Sequence, residues 1–308
     1  MPNTFLTPDV IARQALANLY ENLVALPLVH TDVSRDFAGA KVGDTVNIRK
    51  PATFTANEFN RASGITIQNA TESSVPVVLN KIADVSFAIT SEDLTLHLED
   101  FATQLLAPAT EAIAQKIDRD ILALKADVTQ VAGSVADTDP FAWKKPEALI
   151  EADRLLNIKN VPTSERAAIV GPTTRAHWLN SDIIKHADKS GSTAALRDGS
   201  IGRGLFGFDA YMTQNIAQPA GSPDPGEPTT EVGVAFHRSA FAFASAPLAL
   251  PSDTGEWAAV ENYKGISLRV VKSYDISKKQ DVVSVDVLYG VKTLDANRAA
   301  LIRGALAS

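Results

Sequence analysis

Apolar positions recur every fourth residue near the start of the chain and every second residue from Val42 onward. Ile11, Ala15, Leu19 and Leu23 share one face of a helix that Thr7 caps and Pro8 opens, and Pro27 closes it. The spacing predicts an amphipathic helix to about Ala25, followed to Ala40 by a tether without period. With a single apolar stripe, this arm is expected to dock outside itself, using Ile11, Leu19 and Leu23 as contacts. From Val42 to Thr90 the period is two, in Val46 and Ile48, Ile65 and Ile67, Val75, Val77 and Leu79, then Val85, Phe87 and Ile89. That spacing predicts strands. Between the flanking strands lies a stretch rich in Thr, Ser, Asn and Ala, where Phe54 and Phe59 have little apolar company. A long hairpin of this composition is either disordered or held against a partner, because a lone pair of strands is marginally stable in water.

Ser91, Glu92 and Asp93 read as a helix start, and Ile113, Ile117, Ile121 and Leu124 carry the strongest helical period in the chain. Glu111, Lys116, Asp118 and Arg119 fall on its other faces, and the acidic pair Asp118 and Asp120 reads as solvated helix surface. Pro108 sits inside this pattern and predicts a break or kink, since it removes one backbone hydrogen bond and clashes with the preceding turn. Residues 140–217 read as a mixed module, with a helix from Lys145 to Leu156, a strand from Ala167 to Val170 and a helix from Pro172 to Asn180. Gln218 to Thr230 holds four prolines and reads as a surface loop. From Val232 to Val291 extended segments alternate apolar and polar residues between Gly and Asp turn signals, a scaffold without a catalytic signature.

Composition narrows the chemistry. A chain of 308 residues that is 45% hydrophobic can pack a core as one large or two ordinary domains. Cysteine is absent, which excludes disulfides, thiolate zinc sites, iron–sulfur clusters and a thiol nucleophile, and fits a reducing cytosol. A formal charge of −7 argues against a dedicated nucleic-acid binder, and the pairs Lys144–Lys145 and Lys278–Lys279 read as solvated surface. No segment approaches the roughly 18 apolar residues that span a bilayer, so no membrane partner is expected. Pro2, Pro8 and Asp9 interrupt what a signal peptide would need.

The candidate motifs lack the context that their chemistry needs. Gly202 to Gly207 matches G-x-G-x-x-G, but Asp198–Gly199 precedes it as a turn and Phe208 to Met212 follows as a strand. Dinucleotide binding needs a strand before and a helix after, so a glycine-rich turn is the better reading. His177, Asp182 and His186, at offsets of five and four, cannot share one helix face as metal ligands, and His30, His97 and His237 are isolated. The chain lacks a G-x-S-x-G elbow, an H-E-x-x-H zinc motif and a phosphate-binding glycine–lysine loop. No catalytic, cofactor-binding or metal residue is therefore assigned, and the chain is not expected to be an enzyme.

The order of parts, an arm, a long polar hairpin, a long helix, a mixed module and a closing strand block, resembles the major capsid proteins of tailed bacteriophages. Within that family GFDAYMTQNI from Gly207, VAFHRSAFAFA from Val234 and DVLYGVKTLDANRAALI from Asp286 look closest to the coat proteins of the short-tailed Salmonella phage branch. The resemblance implies an α+β Hong Kong 97-like fold with an N-arm at 1–40 and an E-loop with its flanking strands at 41–90. It implies a P-domain spine helix at 91–141, an A-domain at 142–250, P-domain strands at 251–290 and a C-terminal segment returning to the A-domain at 291–308. It implies no cofactor, and a homo-oligomer of pentamers and hexamers in an icosahedral virion capsid assembled in the host cytoplasm. Its implied partners are a scaffolding protein, a portal protein, cement or decoration proteins, and packaged double-stranded DNA held without sequence-specific binding. No insertion domain is expected, since only the loop at Gln218 to Thr230 could carry one, and no scaffolding region is expected ahead of the arm. Phe54, Phe59, Ile65 and Ile67 join the arm residues as expected intersubunit contacts, and Pro108 is the expected hinge. Two readings stay open beside this one: an encapsulin-like nanocompartment of the same fold, and a dinucleotide-binding enzyme.

Overall fold

The computed structural model describes residues 8–31, 45–50, 56–59, 61, 64, 65, 67, 73–90, 105–136, 138–185, 204–251 and 257–304. Its centre is β12 (Gln280–Thr293), a strand long enough to hold three neighbours. On one edge it pairs with β11 (Ile266–Asp275), which in turn pairs with β10 (Trp257–Tyr263). Along its other edge β4 (Lys81–Thr90) pairs with residues Gln280 to Tyr289, and beyond the β11 pairing, opposite β4, β9 (Phe241–Ala246) pairs with Leu288 to Thr293. The short β1 (His30–Thr31) completes this sheet by pairing parallel to β9.

Side chains sort by strand periodicity. Val283, Val285, Val287 and Tyr289 of β12, with Phe241 and Phe243 of β9, face a core shared with α1 (Pro8–Asn22) and α2 (Ala107–Ala123). Ala242, Ala244 and Ala246 face the opposite way and form a flat bed for the hairpin of β2 (Thr45–Lys50) and β3 (Ser73–Val78), which lays Val46, Ile48 and Val77 on it. The alternation of Phe and Ala from Phe241 to Ala246 is thus a record of two different neighbours.

A second sheet holds β5 (Val131–Ala132), β13 (Ala299–Ile302), β8 (Gly233–His237), β6 (Arg166–Val170) and β7 (Asp209–Met212) in that order. Ala167, Ile169, Val234 and Phe236 join the large core, while Ala168, Val170, Ala235 and Ile302 pack under α3 (Ala148–Ile158) and α4 (Pro172–Leu179). A last short helix, α5 (Asp182–Lys185), follows α4. These strands are apolar at nearly every position because both faces are buried, and for β8 this corrects the alternation of apolar with polar residues expected from Val232 onward. The buried Arg166 guanidinium pairs with Asp153 and donates to Asn157 Oδ1 (2.8 Å) and to the carbonyls of Val161 (2.6 Å) and Pro162 (2.7 Å).

Three features depart from expectation. The first helix ends at Asn22, and a 3₁₀ turn over Leu26–Leu28 follows. Ile65 and Ile67 lie outside any strand, so the period-two spacing at that point does not mark one. In the third case the helix boundary decides: Pro108 occupies the first turn of α2, directly after a π-helical turn at Leu105 and Leu106. A first-turn proline loses no intrahelical bond, so the expected break inside the Ile113–Leu124 pattern is replaced by a joint ahead of it.

Candidate subunit interface

The hairpin is apolar at both ends, and the two ends meet different fates. At its base Val46, Ile48, Val77 and Leu79 are buried against the chain's own sheet. Toward its tip Phe59 is 63% exposed, Ile65 78% and Ile67 82%, a cost that the isolated chain does not recover. Phe54 lies outside the described residues. A second exposed apolar point, Tyr274 with Ile276, stands at the β11–β12 turn, where Asp275 accepts hydrogen bonds from the Ser277 amide (2.9 Å) and the Lys278 amide (3.3 Å). No sequence signal singled it out, since Tyr and Ile beside a turn read equally well as strand core.

The arm is a correction. Ile11, Leu19 and Leu23 are buried in the large core of the same chain, with α1 packed on α2 and β10. Their stripe is covered within the subunit by α2, β10 and β11. The end of the arm is tied down by Asp118, a residue expected on a solvated face. That carboxylate is fully buried and accepts from the amides of Val24 (3.0 Å) and Ala25 (3.1 Å) and from the Asn215 side chain (3.5 Å). Burial pushes Asp118 up, and these hydrogen bonds offset only part of the rise.

Two residues along, Asp120 joins three elements at the hairpin root. It accepts from Tyr289 Oη of β12 (2.5 Å), from Lys116 of its own helix (2.8 Å) and pairs with Lys81 at the start of β4 (3.1 Å). Burial alone would raise this carboxyl; the hydrogen bonds from Lys116, Tyr289 and Lys81 outweigh it and hold it below its ordinary value. Burial and the Asp120 contact push the Tyr289 phenol up. Neither aspartate is a surface charge, and helical periodicity alone could not have told them from Glu111.

Catalytic alternatives find no support in the described residues. Gly204 and Gly207 carry left-handed backbone in a turn closed by Phe208 N donating to Leu205 O (3.0 Å), and β7 follows directly. The Gly204 amide donates to Asp209 Oδ1 (3.0 Å), so a carboxylate already fills the position a phosphate would need. His177 stacks edge-on with Trp143 at 5.2 Å, Asp182 is exposed, and His186 and His97 lie outside the described residues. His237 accepts from the Ser239 amide (3.2 Å) and caps a 3₁₀ turn; burial pushes it down. His30 sits half-buried in β1, and no group of His, Asp and Glu among the described residues could hold a metal ion. A cleft of about 350 Å³ between the end of α2 and residues Gln214–Gln218 is lined by Leu122, Ala123 and Ile216 together with Arg119 and Lys125, whose ammonium group donates to the Val232 carbonyl (2.9 Å).

The profile of the phage capsid protein family matches residues 72–303. The chain belongs to the phage capsid protein family. No curated protein matches the sequence. Among solved structures, one from Mycobacterium phage Che8 is similar at a TM-score of 0.64 and 21% identity, covering 89% of this chain and 88% of that one. The capsid of cyanophage P-SCSP1u is similar at 0.61 and 12% identity, over 87% and 85% of the two chains. A virus-like particle from Pyrococcus furiosus is similar at 0.51 and 11% identity, over 95% and 97%. The fold is Hong Kong 97-like, mixed in helix and sheet. As a phage capsid protein the chain is a structural, non-enzymatic subunit that assembles with its own copies into the shell of the virion.

Proposed function

We infer that this chain is the major capsid protein of a tailed phage, and that its hairpin tip is the surface through which one subunit holds the next. One observation carries the reading: a hairpin packed at its base on its own sheet bears Phe59, Ile65 and Ile67 uncovered at its far end. Phe54, in the same stretch of sequence, is assigned to the same contact. Weak contacts of this kind become durable when each subunit in a closed shell makes several at once.

In this reading residues 1–40 are the N-arm, 41–90 the E-loop with its strands, 91–141 the spine-helix region and 142–250 the A-domain. Residues 251–290 are the returning P-domain strands and 291–308 lead back to the A-domain. Pentamers and hexamers of the chain build an icosahedral shell in the host cytoplasm, with a scaffolding protein, a portal protein and cement or decoration proteins as partners. A formal charge of −7 suits a wall that encloses double-stranded DNA without binding it tightly. Pro108, at the joint before α2, is the hinge that lets one sequence occupy several lattice positions. The phrases from Gly207, Val234 and Asp286 support kinship with the short-tailed Salmonella phage branch.

Negative-stain microscopy of the expressed protein tests the reading. Closed shells, sheets or tubes are expected; a monodisperse monomer at high concentration overturns it. Shells that copurify with a cargo enzyme, from a locus without terminase and portal genes, would assign the fold to a nanocompartment instead.

A further inference from the structure

The hairpin's usefulness depends on where it points. From Lys50 to Phe59 the chain can extend by about 30 Å at roughly 3.3 Å per residue, so a tilt of about 10° at the root moves the tip by about 5 Å. A displacement of that size separates a filled apolar contact from an empty one.

The root is built from independent parts that meet at one place. Lys81, the first residue after the hairpin to join the large sheet, is the register partner of Tyr289. Both side chains converge on Asp120 of α2, from a strand on each side of that pairing. The next residue, Gly290, passes directly beneath the end of β3: a Cβ there would lie 2.2 Å from the Val78 carbonyl oxygen and 3.3 Å from Leu79 Cα. The hairpin therefore leaves the body across a glycine, in a contact that fixes its height, and beside a charged knot that fixes its rotation.

The Asp120 side chain is 13% exposed, so its bonds are little weakened by water, whereas Lys81 is 37% exposed and adds little stability of its own. A partly exposed lysine held by a shielded carboxylate, with a buried phenol on the same oxygen pair, has the character of a directional tie. We propose that Asp120 is a positioning residue: it sets the direction in which the hairpin leaves the subunit, and so where Phe59, Ile65 and Ile67 meet a sister copy. This rests on the reading of the tip as an intersubunit contact.

The absence of native cysteine makes the test direct, because the two introduced thiols are the only ones. Spin labels at Glu58→Cys near the tip and Ser277→Cys on the body report hairpin direction by pulsed dipolar spectroscopy, on unassembled subunits isolated by size exclusion. The native background is expected to give one narrow distance distribution. Asp120→Ala should about double its width or shift its centre by several ångströms, and Tyr289→Phe should do so to a lesser degree. An unchanged distribution in folded Asp120→Ala overturns the proposal. If that variant does not fold, Lys81→Met, at a partly exposed position, decides in its place. The two readings fail separately. A widened distribution in a protein that never forms shells keeps the tie and removes the intersubunit role of the tip; shells with an unmoved distribution do the reverse.

Discussion

Asp118 and Asp120 lie two positions apart on one helix and have opposite electrostatics. Asp118 is buried with only backbone amides and one side-chain amide as donors, so burial dominates and its pKa rises above 3.8. Asp120 has two lysines and a phenol, and its pKa falls below 3.8. The folded chain therefore binds the Asp118 proton more tightly than the unfolded chain does. Its contribution to stability is full below 3.8 and declines as pH rises through the raised folded value, while that of Asp120 is full above 3.8 and declines as pH falls through the lowered one. Asp118→Ala leaves the Val24 and Ala25 amides without an acceptor and should cost about 2 kcal/mol at neutral pH. Urea denaturation of the variant beside the native protein measures it, and the deficit should be larger below 3.8 than at neutral pH.

At the scale of elements, a helix is defined by where it is allowed to begin. Pro108 in the first turn of α2 costs that helix no hydrogen bond, so Pro108→Ala should change stability by less than about 0.5 kcal/mol. Its effect should lie in assembly: with the joint after Leu105 and Leu106 free to continue as regular helix, the distribution of shell sizes in cryo-microscopy should change. An identical distribution would remove the hinge role. The arm teaches the same lesson in reverse. Its stripe of Ile11, Leu19 and Leu23 is as legible as any in the chain, yet an amphipathic stripe says that a face is covered and not by which molecule.

At the scale of the whole molecule, apolar residues divide into those the subunit covers and those it leaves open. Replacing Ile65 and Ile67 with Ser removes exposed side chains only, so the melting temperature of the isolated subunit should hold. Each lost contact costs about 1.5–3 kcal/mol per side chain, and a shell repeats it in every subunit, so sedimentation velocity should show assembly abolished or shifted to much higher concentration. Retention of native assembly by this double variant would remove the tip from the interface.

Local periodicity and turn chemistry were enough for much of the architecture: α1, the hairpin strands, α2, β6 and α4 follow from spacing, caps and prolines that act over a few residues. Three things lay beyond that reach. The double burial of β6, β8 and β13, the capture of the arm by its own core and the conversion of Asp118 and Asp120 from surface charges to buried ties all depend on contacts between segments far apart in the sequence. Period tells which side chains share a face, whereas the partner of that face, and the dielectric around a charge on it, exist only once distant segments have met.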